Sequence, residues 1–290
     1  MKKQTSFSTR GNSADLGPLT IQRMLPNRYA DKVGPFVFLD YVAPAIKETI
    51  DRNGMGAHPH RGIATLTYIL QGEVEHFDSV GNGGKIYSGG VQWMKAGRGV
   101  VHDENFNYDS QTSSKYVHGF QFWINLPSKN KAEEPAHIAI QASEIPKKTL
   151  PDGSWLKVIV GNYEALSSII PNYSKQFLYH IRLKAGTQFS LDMDDKIEVA
   201  AFLTIQNVML NGVEFDAGEL IEFDRNPGEI EMRNTSNDTD ADVLLFGGEE
   251  YTEPVVAEGP FVMNTMAEIA DAYRDFYAGH YGEINPRTKS

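Results

Sequence analysis

His58-Pro59-His60 and His102-Asp103-Glu104 place three imidazoles and one carboxylate in two pairs of i, i+2 spacing. On a β-strand alternate side chains share a face, so each pair points one way while Pro59 and Asp103 point the other. Two such strands side by side converge four N and O donors on one point, which makes a mononuclear metal site. The chain has no cysteine, so any metal has to be held by histidine, carboxylate or water. Three neutral nitrogens and one oxygen suit Fe(II), Mn(II), Co(II), Ni(II) or Zn(II), and affinity order alone does not choose among them. The competing reading is structural. His58 and His60 would be buried imidazoles with polar partners, and His102 and Glu104 a surface pair after a glycine turn. Two imidazoles on one face repel if both are charged, and a shared cation removes that conflict.

The elements that must carry these pairs read as β throughout. Thr65 to Leu70, Glu73 to Asp78 and Lys85 to Tyr87 are short β-rich runs, and Gly81-Asn82-Gly83-Gly84 between the last two tolerates the positive φ of a tight turn. The second half repeats the style in Gln176 to Leu183, Ile197 to Ile205, Val208 to Leu210, Leu220 to Phe223 and Val243 to Phe246, with Asn211-Gly212 as a hairpin turn. Two all-β stretches of similar length imply a duplicated barrel. The proline-bearing stretch Lys129 to Pro151 is the expected connection, which puts a boundary near residue 140. Helical periodicity is clear only near the end, where Met266, Ile269, Ala270, Tyr273, Phe276 and Tyr277 fall at i, i+3, i+4 spacing. Asn264 or Thr265 can cap this helix, with Glu268 in its first turn and Gly279 at its end.

Composition narrows the class. A chain of 290 residues, 41% hydrophobic, can bury a sizeable core. The net charge of -11 opposes direct binding to nucleic acid, and Met1-Lys2-Lys3 is the only basic cluster. No apolar run approaches the roughly 18 residues of a membrane span, and the first residues lack a secretory signal pattern, so a soluble, cytoplasmic monomer is expected.

The two metal-type runs, Gly56-Ala57-His58-Pro59-His60-Arg61-Gly62 and Gln92 to Glu104, resemble the metal motifs of the pirin family within the cupin superfamily. Val33 to Asp40, His118 to Pro127 and Gly259 to Thr265 resemble further blocks of that family, so the resemblance runs from about Ile21 to Gly282. It implies an all-β fold of two tandem cupin-type β-barrels, a bicupin, with a C-terminal helix. Residues 1–140 would form a metal-binding barrel, and residues 141–290 a metal-free barrel plus the helix. His58, His60, His102 and Glu104 become the ligands of one Fe(II), with Zn, Mn, Co and Ni as other candidates. Glu104 also becomes the proton acceptor of a quercetin 2,3-dioxygenase-type oxidoreductase that cleaves flavonols with O2. The alternative is a redox-sensing regulator that uses the metal centre and binds an enzyme or transcription factor as protein partner. A third reading keeps the metal and gives it some other small enolizable substrate. The chain departs from the general cupin pattern at Ala64, followed by Thr65, where an acidic residue is usual; this bears on any mechanism that needs a second carboxylate. Phe38, Met94 and Phe122 are candidate pocket residues. His76 and His118 can face the interior and bond a ligand residue or substrate, or serve as core or rim histidines. His137, His180 and His280 show no ligand-type spacing.

Overall fold

The computed structural model describes residues 1–16 and 19–284. The chain forms two compact units drawn from interleaved stretches. The histidine unit comprises Ala14–Ile21, Leu39–Glu144 and Thr252–Ser290, and the second unit Met1–Ser13, Gln22–Phe38 and Ile145–Tyr251. The chain passes between them at five points, Glu144 to Ile145 among them, and its two ends are exchanged: the first residues belong to the second unit and the last to the histidine unit. The Thr5–Thr9 strand pairs with Leu220–Phe223, and the terminal helix packs in the histidine unit.

Each unit is a sandwich of one seven-stranded and one four-stranded antiparallel sheet. The seven-stranded sheet that carries most of the histidine unit's strands runs Ala136–Ile140, Val91–Lys95, Ile63–Gln71, Tyr116–Asn125, Phe36–Ile46, Leu19–Leu25, Asn12–Leu16. The smaller runs His58–His60, Val100–Asn107, Glu73–Asp78, Gly83–Ile86. Among the described residues the hydrogen-bonded ladders stay open, so the expected barrel closes across its side chains and not through a continuous ladder. Ile69, Val42 and Val117 of the large sheet meet Val74, Ile86 and Phe106 of the small one. Each such side chain taken out of water contributes about 1.5–3 kcal/mol. The second unit has the same layering, and its interior is an aliphatic cluster that includes Leu156, Ile181, Val199, Val243, Leu210 and Met232.

Turn chemistry acts where the sequence places it. Asn211 (φ 51°) and Gly212 (φ 89°) join Val208–Leu210 to Val213–Phe215, the two left-handed residues that a tight hairpin requires. The Lys129 to Pro151 stretch is more ordered than a linker: its Ala136–Ile140 and Lys147–Thr149 strands each extend the edge of a large sheet. The helix spans Met266–Tyr277, capped by Thr265 and Glu268 in a reciprocal capping box. Its buried face is narrower than the sequence stripe. Ile269, Ala272, Tyr273 and Phe276 pack on Val101, Phe261 and Tyr281, while Met266, Ala270 and Tyr277 are exposed. No described helix is long and apolar enough to cross a membrane.

Candidate metal centre

The small sheet brings the two motifs together through its register. His102 pairs across the ladder with His58, Val100 with His60, and Glu104 with His76. All these side chains share the inner face with Phe106 and Val74, so one end of the sandwich interior is apolar and the other carries the polar cluster. Ligand-type atoms of His58, His60 and His102 lie within 4.8 Å of one another, and so do those of His76, His102 and Glu104. His102 belongs to both groups. Glu104 thus reaches the histidine triad through His102, and it is not within that distance of all three imidazoles.

Hydrogen bonds assign the tautomers. Nδ1 of His58 donates to the Gly56 carbonyl at 2.8 Å, and Nδ1 of His60 to the Pro260 carbonyl at 3.0 Å. Both rings therefore keep a bare Nε2. Nε2 of His58 and Nε2 of His102 stand 3.0 Å apart; a single proton can bridge two such lone pairs, or one cation can take both. Burial favours neutral rings. His60 is pushed down to about 3 by burial and by the neighbouring His58, and His102 is held well below the ordinary imidazole value by burial and by His60. A donor set of neutral imidazoles with bare nitrogens plus a buried carboxylate fits a divalent transition ion.

Glu104 is 1% exposed, and its carboxylate accepts three hydrogen bonds from the facing sheet. Gln92 Nε2 donates to Oε1 at 2.6 Å, Thr67 Oγ1 to Oε1 at 3.2 Å and Gln121 Nε2 to Oε2 at 2.9 Å. These donors form one row, since Thr67 is in register with both Gln92 and Gln121. The same alternation settles Ala64. It lies on the opposite side of its strand from Thr67, so a carboxylate there would point away from Glu104; Thr65 is the neighbour on the inner side.

Phe122 is likewise one residue out of phase with Gln121, so it faces the other side of the sheet. Trp123, which the sequence reading passed over, sets its ring edge-on to His60 at 4.9 Å. Met94 is in register with Thr65 on the inner face, and Phe38 lies under the Arg23 guanidinium at 4.2 Å. His118 is engaged by the Tyr41 hydroxyl at 3.1 Å. His137 stacks flat on His76 at 4.3 Å, a contact no local spacing signals because it joins two sheets. His180 bonds Asp242 at 2.9 Å, and His280 sits 3.5 Å from Asp275.

Two stacked antiparallel sheets per unit, with a histidine cluster on the inner face of one, define a cupin. A sequence model described as Pirin matches residues 19–124, and one described as Pirin C-terminal cupin domain matches residues 178–282. The chain belongs to the pirin family. A Pseudomonas aeruginosa protein provisionally named quercetin 2,3-dioxygenase is 34% identical over 258 residues, covering 88% of this chain and 89% of its own. The crystal structure of quercetin 2,3-dioxygenase from Acinetobacter baumannii matches with a TM-score of 0.89 at 31% identity, over 98% of this chain and 100% of that one. The bacterial pirin YhhW of Escherichia coli, solved in complex with nickel(II), matches with a TM-score of 0.61 over 86% of this chain and 98% of its own. At 21% identity that last likeness bears on the fold alone.

Proposed function

We propose that this protein is a metal-dependent dioxygenase that cleaves flavonols such as quercetin with O2, with one Fe(II) held by His58, His60, His102 and Glu104. The observation that carries the reading is the convergence of His58, His60 and His102 within 4.8 Å, in a protein whose similar relatives are named for this reaction. Bound iron would supply Lewis acidity toward an enolic oxygen and a redox partner for O2.

The protein's own groups have separable tasks. The carbonyls of Gly56 and Pro260 orient two imidazoles before any ion arrives. Gln92, Thr67 and Gln121 orient Glu104, the group assigned to take the proton of the flavonol 3-hydroxyl. Its Oε2 accepts one donor where Oε1 accepts two, so Oε2 is the oxygen with capacity for that proton. Trp123 and Met94 give the inner face an apolar patch suited to an aromatic substrate.

The test is oxygen uptake by the iron-loaded protein across a panel of flavonols. Uptake with quercetin should exceed that of metal-free protein, and Glu104→Gln should lose most of it, because a carboxamide cannot accept a proton near neutral pH. Uptake by the iron-loaded wild type no greater than by metal-free protein, for every flavonol, would sink the dioxygenase reading.

A further inference from the structure

His76 and Asp78 form a line behind the proposed ligands that the function above leaves unused. His76 is fully buried and lies directly across the ladder from Glu104. Its Nδ1 is 3.5 Å from Nδ1 of His102, and its Nε2 is 3.5 Å from Oδ2 of Asp78. Asp78 is itself fixed. Its Oδ1 accepts from the backbone N–H of Val80 at 3.1 Å and of Asn82 at 2.8 Å, and its Oδ2 accepts from Nδ2 of Asn82 at 2.9 Å. Stacking by His137, 4.3 Å away and tilted only 3°, sets the plane of the His76 ring.

The chemistry of these atoms fixes where the protons sit. An ionised carboxylate only accepts, so the His76 nitrogen that faces Asp78, Nε2, carries the hydrogen. A neutral His76 then offers a bare Nδ1 to His102. His102 answers with Nδ1–H, which leaves its lone pair on Nε2, the nitrogen that meets His58 at 3.0 Å. His58 and His60 reach the same tautomer by donating to backbone carbonyls; His102, in the middle of a sheet, has a second imidazole in that place. At 3.5 Å both contacts are at the long end of hydrogen bonding, which suits a group that orients more than it grips.

We propose that the Asp78–His76 pair is a positioning device that sets the tautomer of His102, so that all three imidazoles turn a bare Nε2 toward one cation. The inference rests on the ligand assignment above and deepens it. It is tested on the full chain by chelator competition with Zn(II) and Co(II), and by the visible spectrum of the Co(II) form. His76→Phe keeps a ring beneath His137 and loses both nitrogens. His76→Gln loses the ring and keeps an acceptor toward His102 and a donor toward Asp78. The expected result is affinity about 10- to 100-fold weaker for the Phe variant with a shifted Co(II) spectrum, and within about threefold of wild type for the Gln variant. A packing role predicts the reverse order, and any order other than the expected one overturns the proposal. Should the Phe variant fail to fold, Asp78→Asn is the second arm: it turns a donor toward His76, so weakened affinity supports the relay and unchanged affinity overturns it. Wild type that binds neither ion overturns the ligand assignment together with the relay, whereas tight wild type with an unaffected Phe variant overturns the relay alone.

Discussion

Glu104 draws its three hydrogen bonds from three neighbouring strands, and a buried anion with that many donors is sensitive to losing any one of them. Gln92→Leu removes the shortest and should lower the stability of the metal-free protein by about 1.5–3 kcal/mol in urea unfolding, the usual range for a hydrogen bond to a charged group. His58→Ala and His102→Ala should each drop bound metal well below one ion per chain by elemental analysis; full retention in both would remove them from the ligand set. Pairing by parity made the shared face of His58, His60, His102 and Glu104 legible in the sequence, because an i, i+2 pattern survives any strand register. The row Gln92, Thr67, Gln121 and the histidines His76 and His137 were not legible in these roles. Their positions depend on which strands adjoin and in what register, which no local spacing encodes.

The block after residue 252 supports the His58–His60 strand as a separate element. Val262 donates its backbone N–H to Arg61, Pro260 receives His60, and the helix packs behind Val101 on the outer face of the neighbouring strand. A Cβ on Gly62 (φ 80°) would collide with the Val262 carbonyl, so the close approach needs glycine there. Lys131 ties the same junction together. Its buried Nζ donates to the carbonyls of Gly62 at 2.8 Å and Val262 at 2.8 Å and to Oδ1 of Asn125 at 2.6 Å. Lys131→Met would remove the shared donor of these acceptors, of which the Gly62 carbonyl keeps the backbone N–H of Leu126 at 3.2 Å, and should cost on the order of 3 kcal/mol in thermal or urea unfolding. Thr265→Ala, which removes only the helix cap, should cost about 1 kcal/mol. The helix was readable from its caps and period. Its exposed rim at Met266 and Tyr277 was not, since periodicity gives a face but not how far the packing partner extends.

At the scale of the molecule, the buried histidines set the response to acid. Burial holds His60 at about 3 and His137 at about 4, and His180 is also lowered, chiefly by burial. Unfolding exposes these rings, which then take protons near the ordinary value of about 6.5. The unfolded chain thus binds protons that the folded chain refuses, and folding stability falls as pH drops below about 6.5. The slope is about 1.4 kcal/mol per pH unit for a fully buried ring such as His60, down to its folded value. Asp242 adds to the same trend at lower pH. Burial opposes its charge, but bonds from His180 and Arg182 outweigh this and keep the carboxyl well below the usual range, so their stabilisation fades as it protonates. Thermal midpoints of metal-free protein between pH 7 and 4 should fall steadily; a flat profile would show that these rings protonate without unfolding. The all-β character and the duplication were readable from turn-punctuated runs. The exchange of chain ends was not, because strand pairing across more than 200 residues, as between Thr5 and Phe223, leaves no periodic trace.

That exchange also governs the order in which the protein can be completed during synthesis. The histidine motifs emerge early, yet the carbonyl that orients His60 belongs to Pro260 and the residues that cover Val101 come later still. A growing chain with both motifs exposed therefore lacks the group that turns Nε2 of His60 inward, and it should hold a metal ion only weakly until the segment with Pro260 has been made. Firm metal retention then marks a chain made beyond Pro260, and fragments stopped before Gly259 should release the ion to a chelator that the 290-residue protein resists.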